Sequence, residues 1–110
     1  MKKWNEMDYL DKAFHYKKIL EQEGLTAYEY KRVSGMNIMM YTRFLNFSDR
    51  VLKRLRESGL NMDKASKLLK LRKTKSDDII IKIIDFIIYK DLGIRRIIKL
   101  VNYELDKDRV

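Results

Sequence analysis

Residues 25–47, LTAYEYKRVSGMNIMMYTRFLNF, decide how this chain folds. Thr26 followed three residues later by Glu29 is a capping-box pattern, in which each side chain takes a backbone N–H at the start of a helix. The box opens a short helix that ends near Val33, and Ser34 with Gly35 breaks it. A second helical segment follows, Gly35 to Phe47, so residues 26–47 read as a helix-turn-helix. In such a unit the second helix is the one offered to a DNA major groove. Its side chains are mostly Met, Ile, Tyr, Phe and Leu, so the same segment also reads as a core helix with Met39, Met40, Phe44 and Phe47 buried.

The flanking sequence speaks for helix throughout. There is no Pro, Gly occurs only four times, and apolar side chains recur every three or four residues, which gives an all-α fold, a compact bundle of about six to seven short helices. A first helix runs from about Asp8 to Glu23, with Ala13, Tyr16, Ile19 and Leu20 inward, and Gly24 stops it. Ser48 caps a fourth helix that turns Val51, Leu52 and Leu55 inward and closes at Gly59. Asn61 caps a fifth, with Ala65, Leu68 and Leu69 inward. Ser76 caps a sixth, Ile-rich helix whose first turn carries Asp77 and Asp78 against the helix dipole. Gly93 is read as its end, and Ile94, Ile97, Ile98 and Val101 mark a seventh. Glycines at 24, 59 and 93 set a rhythm near that of helical repeats, but the Trp, Leu-Gly and Pro landmarks of a tetratricopeptide array are missing.

A chain of 110 residues suits a single domain, 1–110. With no Cys and one His, His15, neither a disulfide nor a metal centre is expected, and no cofactor is implied. His15 lacks a second titratable group spaced to orient it, and Asp77–Asp78 is explained by helix-start capping, so the chain does not read as an enzyme. No apolar run reaches the roughly 20 residues of a membrane span and the first residues lack a signal-peptide core, so a cytoplasmic protein without membrane partners is expected.

Charge is the sharper signal. The net charge is +9, and Lys plus Arg outnumber Asp plus Glu by 10 to 2 over residues 50–75, against 8 to 7 before that segment and 7 to 7 after it. Such a concentration is the footprint of a polyanion binder, with a solvated charged face as the plainer reading.

The order of four pieces also resembles a known family. LTAYEYKRVSG, then YTRFLNFSDRVLKRLRESGLNMDKASKLLKL, then YKDLGIRRIIKLV, is similar to the DNA-binding domain of ParB and KorB type partition proteins. The Gly-Leu-Thr opening is Gly24 to Thr26, TRFLNF stands at the end of the reading helix, SGLNMDKASKLLKL matches the later Ala- and Leu-rich helix, and Arg95 or Arg96 takes the closing Arg position. The likeness spans roughly residues 14–103 and implies a helix-turn-helix that binds double-stranded DNA. These residues do not include the family's N-terminal nucleotide-binding domain with its Gly-Glu-Arg-Arg box, so nucleotide-driven sliding is not implied. Between GLT and TRFLNF the chain is about three residues short of the family pattern, which removes almost a turn where bases would be read.

On this basis Asn37, Met40 and Arg43 are the candidates for base contact, Arg43 through a bidentate pair with guanine. Lys31, Arg32, Arg50, Lys53, Arg54, Lys64, Lys67, Lys70, Arg72 and Lys73 are the candidates for phosphate contact. The apolar helices within residues 76–105 are candidates for homodimerisation, which would supply two reading units for a palindromic site. The expected role is a small transcriptional repressor or partition-type site binder of a plasmid, phage or mobile element. The alternative is a protein-binding module, such as a phage or plasmid inhibitor, that uses the Met and aromatic stretch to hold a protein partner.

Overall fold

The computed structural model describes residues 4–107. Among them there are helices and no strand, gathered into two compact units, Met1–Asn46 and Phe47–Val110.

The first unit holds a 3-10 turn at Trp4–Glu6, α1 (Tyr9–Glu23), α2 (Ala27–Ser34), α3 (Met39–Thr42) and a 3-10 turn at Arg43–Asn46 that prolongs α3. Asp8 caps α1 by accepting the Asp11 N–H at 2.7 Å, and Gly24 ends it at φ 65°. The Thr26–Glu29 box is formed in both directions, at 3.0 and 3.1 Å. Gly35, at φ 78°, turns the chain out of α2, and residues 35–38 form the turn of the helix-turn-helix. The second helix is thus shorter than residues 35–47 suggest: one α turn and one 3-10 turn. Ile38, the last turn residue, is fully buried, as are Leu10, Ala13 and Phe44, and α1 packs along both α3 and the 3-10 turn after it. Aromatic rings extend this core. Tyr9 meets Phe44 at 4.9 Å between centroids, and Tyr16 stacks on Tyr41 at 5.8 Å.

The second unit holds α4 (Asp49–Ser58), α5 (Met62–Ser66), a 3-10 helix at Lys67–Lys73, α6 (Asp77–Lys90) and α7 (Ile94–Asp106). Ser48, Asn61 and Ser76 each cap a helix through a side-chain oxygen, as the sequence suggests. α4 packs on α6, burying Val51, Leu52 and Leu55 from one and Ile80, Ile83, Ile84 and Ile87 from the other.

Two features correct the sequence reading. The helix opening at Asn61 changes pitch at Lys67, and a 3-10 helix has three residues per turn. That phase sends Leu68 and Leu71 inward, both fully buried, and leaves Leu69 only half-buried; an α-helical phase had put Leu68 and Leu69 inward. The other correction is at Gly93. α6 ends at Lys90, and the left-handed residue after it is Asp91, at φ 50°. Gly93, at φ −80° and ψ 172°, is instead the N-cap of α7, where extended backbone is required and any residue fits.

Candidate nucleic-acid interface

No charged or polar residue is buried among the described residues, so the excess of positive charge lies at the surface. The described residues also contain no group of three or more His, Cys, Asp or Glu able to hold a metal ion.

In the first unit, Lys31 and Arg32 lie exposed on the last turn of α2, where cations meet the negative end of the helix dipole. Arg43 is exposed at the end of α3, its Nε–H donating to the Met40 carbonyl at 3.2 Å and its guanidinium 5.5 Å from the Phe44 ring centroid. With Nε bonded and the guanidinium beside the ring, the two terminal nitrogens are left in a geometry that can match the oxygen and nitrogen acceptors of a guanine or a phosphate. Asn37 has a local duty: its Oδ1 accepts the Met39 N–H at 3.1 Å and caps the start of α3. Reading adenine needs both Oδ1 and Nδ2, so base contact by Asn37 competes with that cap. Met40 is exposed, as is Met39, whereas Phe44 and Phe47 are buried. The segment therefore divides, its aromatic rings forming core and its methionines forming surface.

In the second unit the basic candidates fall into two sets. Arg50 and Arg54, one turn apart on α4, are bonded to carboxylates of α6. The Arg50 Nη2–H donates to Asp78 Oδ1 at 2.7 Å, and the Arg54 Nε–H donates to Asp85 Oδ1 at 2.6 Å. The Arg50 guanidinium holds the Asp78 carboxyl below its ordinary range by hydrogen bonding and charge, and Asp78 in turn raises Arg50. Lys53, Lys64, Lys67, Lys70, Arg72 and Lys73, by contrast, enter no ion pair among the described residues.

The 3-10 pitch orders that second set. Residues three apart share a face, so Lys67, Lys70 and Lys73 form one row beside the buried row of Leu68 and Leu71. At a rise of about 2.0 Å per residue, successive lysines of the row stand about 6 Å apart. Such a row suits a polyanion that carries a charge every few ångströms along its axis.

Comparison with known proteins bears on what this arrangement is for. The family model described as the ParB HTH domain matches residues 5–106. The chain belongs to the ParB HTH domain family. No curated protein and no solved structure matches it. Membership in the ParB HTH family makes the chain a DNA-binding domain of ParB type, and that family is not a catalytic one. No helix among the described residues is long and apolar enough to cross a membrane.

The carboxylate partners of the arginines were not legible in the sequence. Asp78 and Asp85 stand 28 and 31 residues from the arginines they meet, and only the packing of α4 on α6 brings them together. The cap made by Asn37 did leave a signal, because an Asn two residues before a helix often bonds the backbone there.

Proposed function

We propose that this ParB-type domain binds a specific double-stranded DNA site in the cytoplasm. In this role it is a small transcriptional repressor or a partition-type site binder of a plasmid, phage or mobile element. The observation that carries the reading is the pairing of a helix-turn-helix whose Arg43 keeps two terminal nitrogens unanchored with a segment rich in unpaired cations. Lys67, Lys70, Lys73 and their basic neighbours neutralise phosphates, and this supplies affinity without sequence information. Arg43, with Met40 beside it and Asn37 at the helix start, supplies preference among bases; Met40 offers apolar contact to a thymine methyl. Lys31 and Arg32 add phosphate contacts from the end of α2.

Action as a homodimer belongs to the same proposal. On α6 and α7 the side chains of Ile79, Phe86, Ile88, Tyr89 and Tyr103 are exposed although apolar or aromatic, a surface suited to a second copy. A twofold pair would read a palindromic site.

A second reading is favoured by a different observation. Tyr28, Val33, Met36, Met39 and Met40 are all exposed in the first unit, and Met-rich surfaces adapt readily to protein partners. Footprinting on duplex DNA around the protein's own gene, with Arg43→Glu combined with Lys53→Glu, separates the two. DNA binding of the repressor or partition type gives a discrete protected site that the double variant abolishes. Protection without any preferred site, or an unchanged footprint for the variant, rejects this assignment of contacts.

A further inference from the structure

Two basic residues of α4 are already engaged, and the manner of their engagement says what the carboxylates do. Arg54 presents Nε and Nη2 to the same Oδ1 of Asp85, at 2.6 and 2.5 Å. That edge of the guanidinium fork is the one that grips a phosphate with two parallel bonds. Arg50 gives Asp78 an Nη2 at 2.7 Å, and both partners are largely exposed, 63% and 72% at the side chain. In the other pair Asp85 is exposed at 49% and Arg54 is partly covered, at 32%. An exposed pair such as Arg50–Asp78 adds little to folding. Nor does the contact between α4 and α6 need them, since it is built from the buried faces that hold Val51, Leu52, Leu55, Ile80, Ile84 and Ile87.

We propose that Asp78 and Asp85 limit affinity: their carboxylates occupy Arg50 and Arg54 in competition with the phosphates of DNA. This rests on the reading of the basic segment as a phosphate-binding surface. A phosphate reaching either arginine must displace or crowd a fixed negative charge, so Arg50 and Arg54 contribute little net attraction while the pairs stand. Sequence-independent binding is thereby held down, and the salt-dependent attraction of this unit falls to its unpaired cations, the row at 67, 70 and 73 among them. The device sets overall affinity and its salt response, because any change in phosphate affinity applies to every site alike, right or wrong.

The test uses the full chain with Asp78→Asn, Asp85→Asn and the double variant, measured on random-sequence duplex DNA by fluorescence anisotropy across a salt series. Asp91→Asn is the control. It removes the same unit of charge elsewhere on the surface, and Asn is well tolerated at its left-handed position. Each freed arginine that gains a phosphate steepens the slope of log affinity against log salt by about 0.9. With the contact vanishing near 1 M salt, that slope is a gain of up to about 15-fold at 50 mM and about 4-fold at 200 mM. Variants that bind no tighter than Asp91→Asn, or that bind more weakly, overturn the inference; the second result would make the carboxylates supports that aim the arginines. A wild-type chain that binds no DNA at all would instead remove the reading on which the inference rests. Circular dichroism of each variant confirms that the measured chain is folded.

Discussion

Alanine at Leu71 and at Leu69, introduced one at a time, separates two phases of the same helix. Leu71 is fully buried, and truncating such a leucine removes its transfer free energy and leaves a cavity, a loss of about 2–5 kcal/mol. Leu69 is only half-buried. Its loss forfeits about half the burial of a leucine side chain, on the order of 1 kcal/mol, with no enclosed void behind it. Urea unfolding followed by far-ultraviolet circular dichroism reads the difference. With a denaturant slope of about 1–2 kcal/mol per molar, Leu71→Ala should lower the midpoint by about 1–5 M and Leu69→Ala, at the same slope, by half of that loss or less. The same phase places Lys67, Lys70 and Lys73 in one row, so the stability experiment also tests the geometry of the candidate interface. A loss for Leu69→Ala equal to or greater than that for Leu71→Ala would refute the 3-10 pitch and, with it, the row of lysines.

Other substitutions probe single features. Gly93→Ser should raise stability by only a few tenths of a kcal/mol in thermal melts, because Gly93 is an N-cap with no side-chain bond to α7; a loss would return it to the role of a left-handed stop. Replacing Lys67, Lys70 and Lys73 together by Gln should flatten the salt dependence of DNA binding by up to about 2.7 in slope while leaving the helix content unchanged. Asp78 has its carboxyl held low by Arg50, so whatever that pair adds to folding is present above about pH 4 and is lost as pH falls through the lowered value. Any difference in melting temperature between wild type and Asp78→Asn should therefore be small, confined to pH above about 4 and gone in acid; a difference that persists in strong acid would assign it to another cause.

Much of the fold was legible because helix ends leave local marks. The Thr26–Glu29 box and the caps at Ser48, Asn61 and Ser76 each depend on residues within three positions of one another, so one sequence suffices to find them. The change of pitch at Lys67 left no such mark. Leu68, Leu69 and Leu71 are compatible with either phase, and α6 and α7, against which the segment packs, decide between them. Asp91 misled for a related reason: a nearby glycine is the default stop, yet the chain used an aspartate there and kept Gly93 for the next cap. In the candidate site, the exposed Arg43 and the basic segment were visible from residue type and spacing alone. What Arg50 and Arg54 touch was not, since it depends on the packing of two helices far apart in sequence.

Equilibrium titration of duplex DNA with the 110-residue chain at salt concentrations between about 50 and 200 mM bears most directly on the central claim. Engagement of the lysine row alone requires a log–log slope at least as steep as about −2.7, which is a loss of at least about 40-fold in affinity across that range. A ParB-type domain that grips phosphates through its unpaired cations will show that loss. Binding that is undetectable at the low-salt end, or that barely responds to salt, would contradict it.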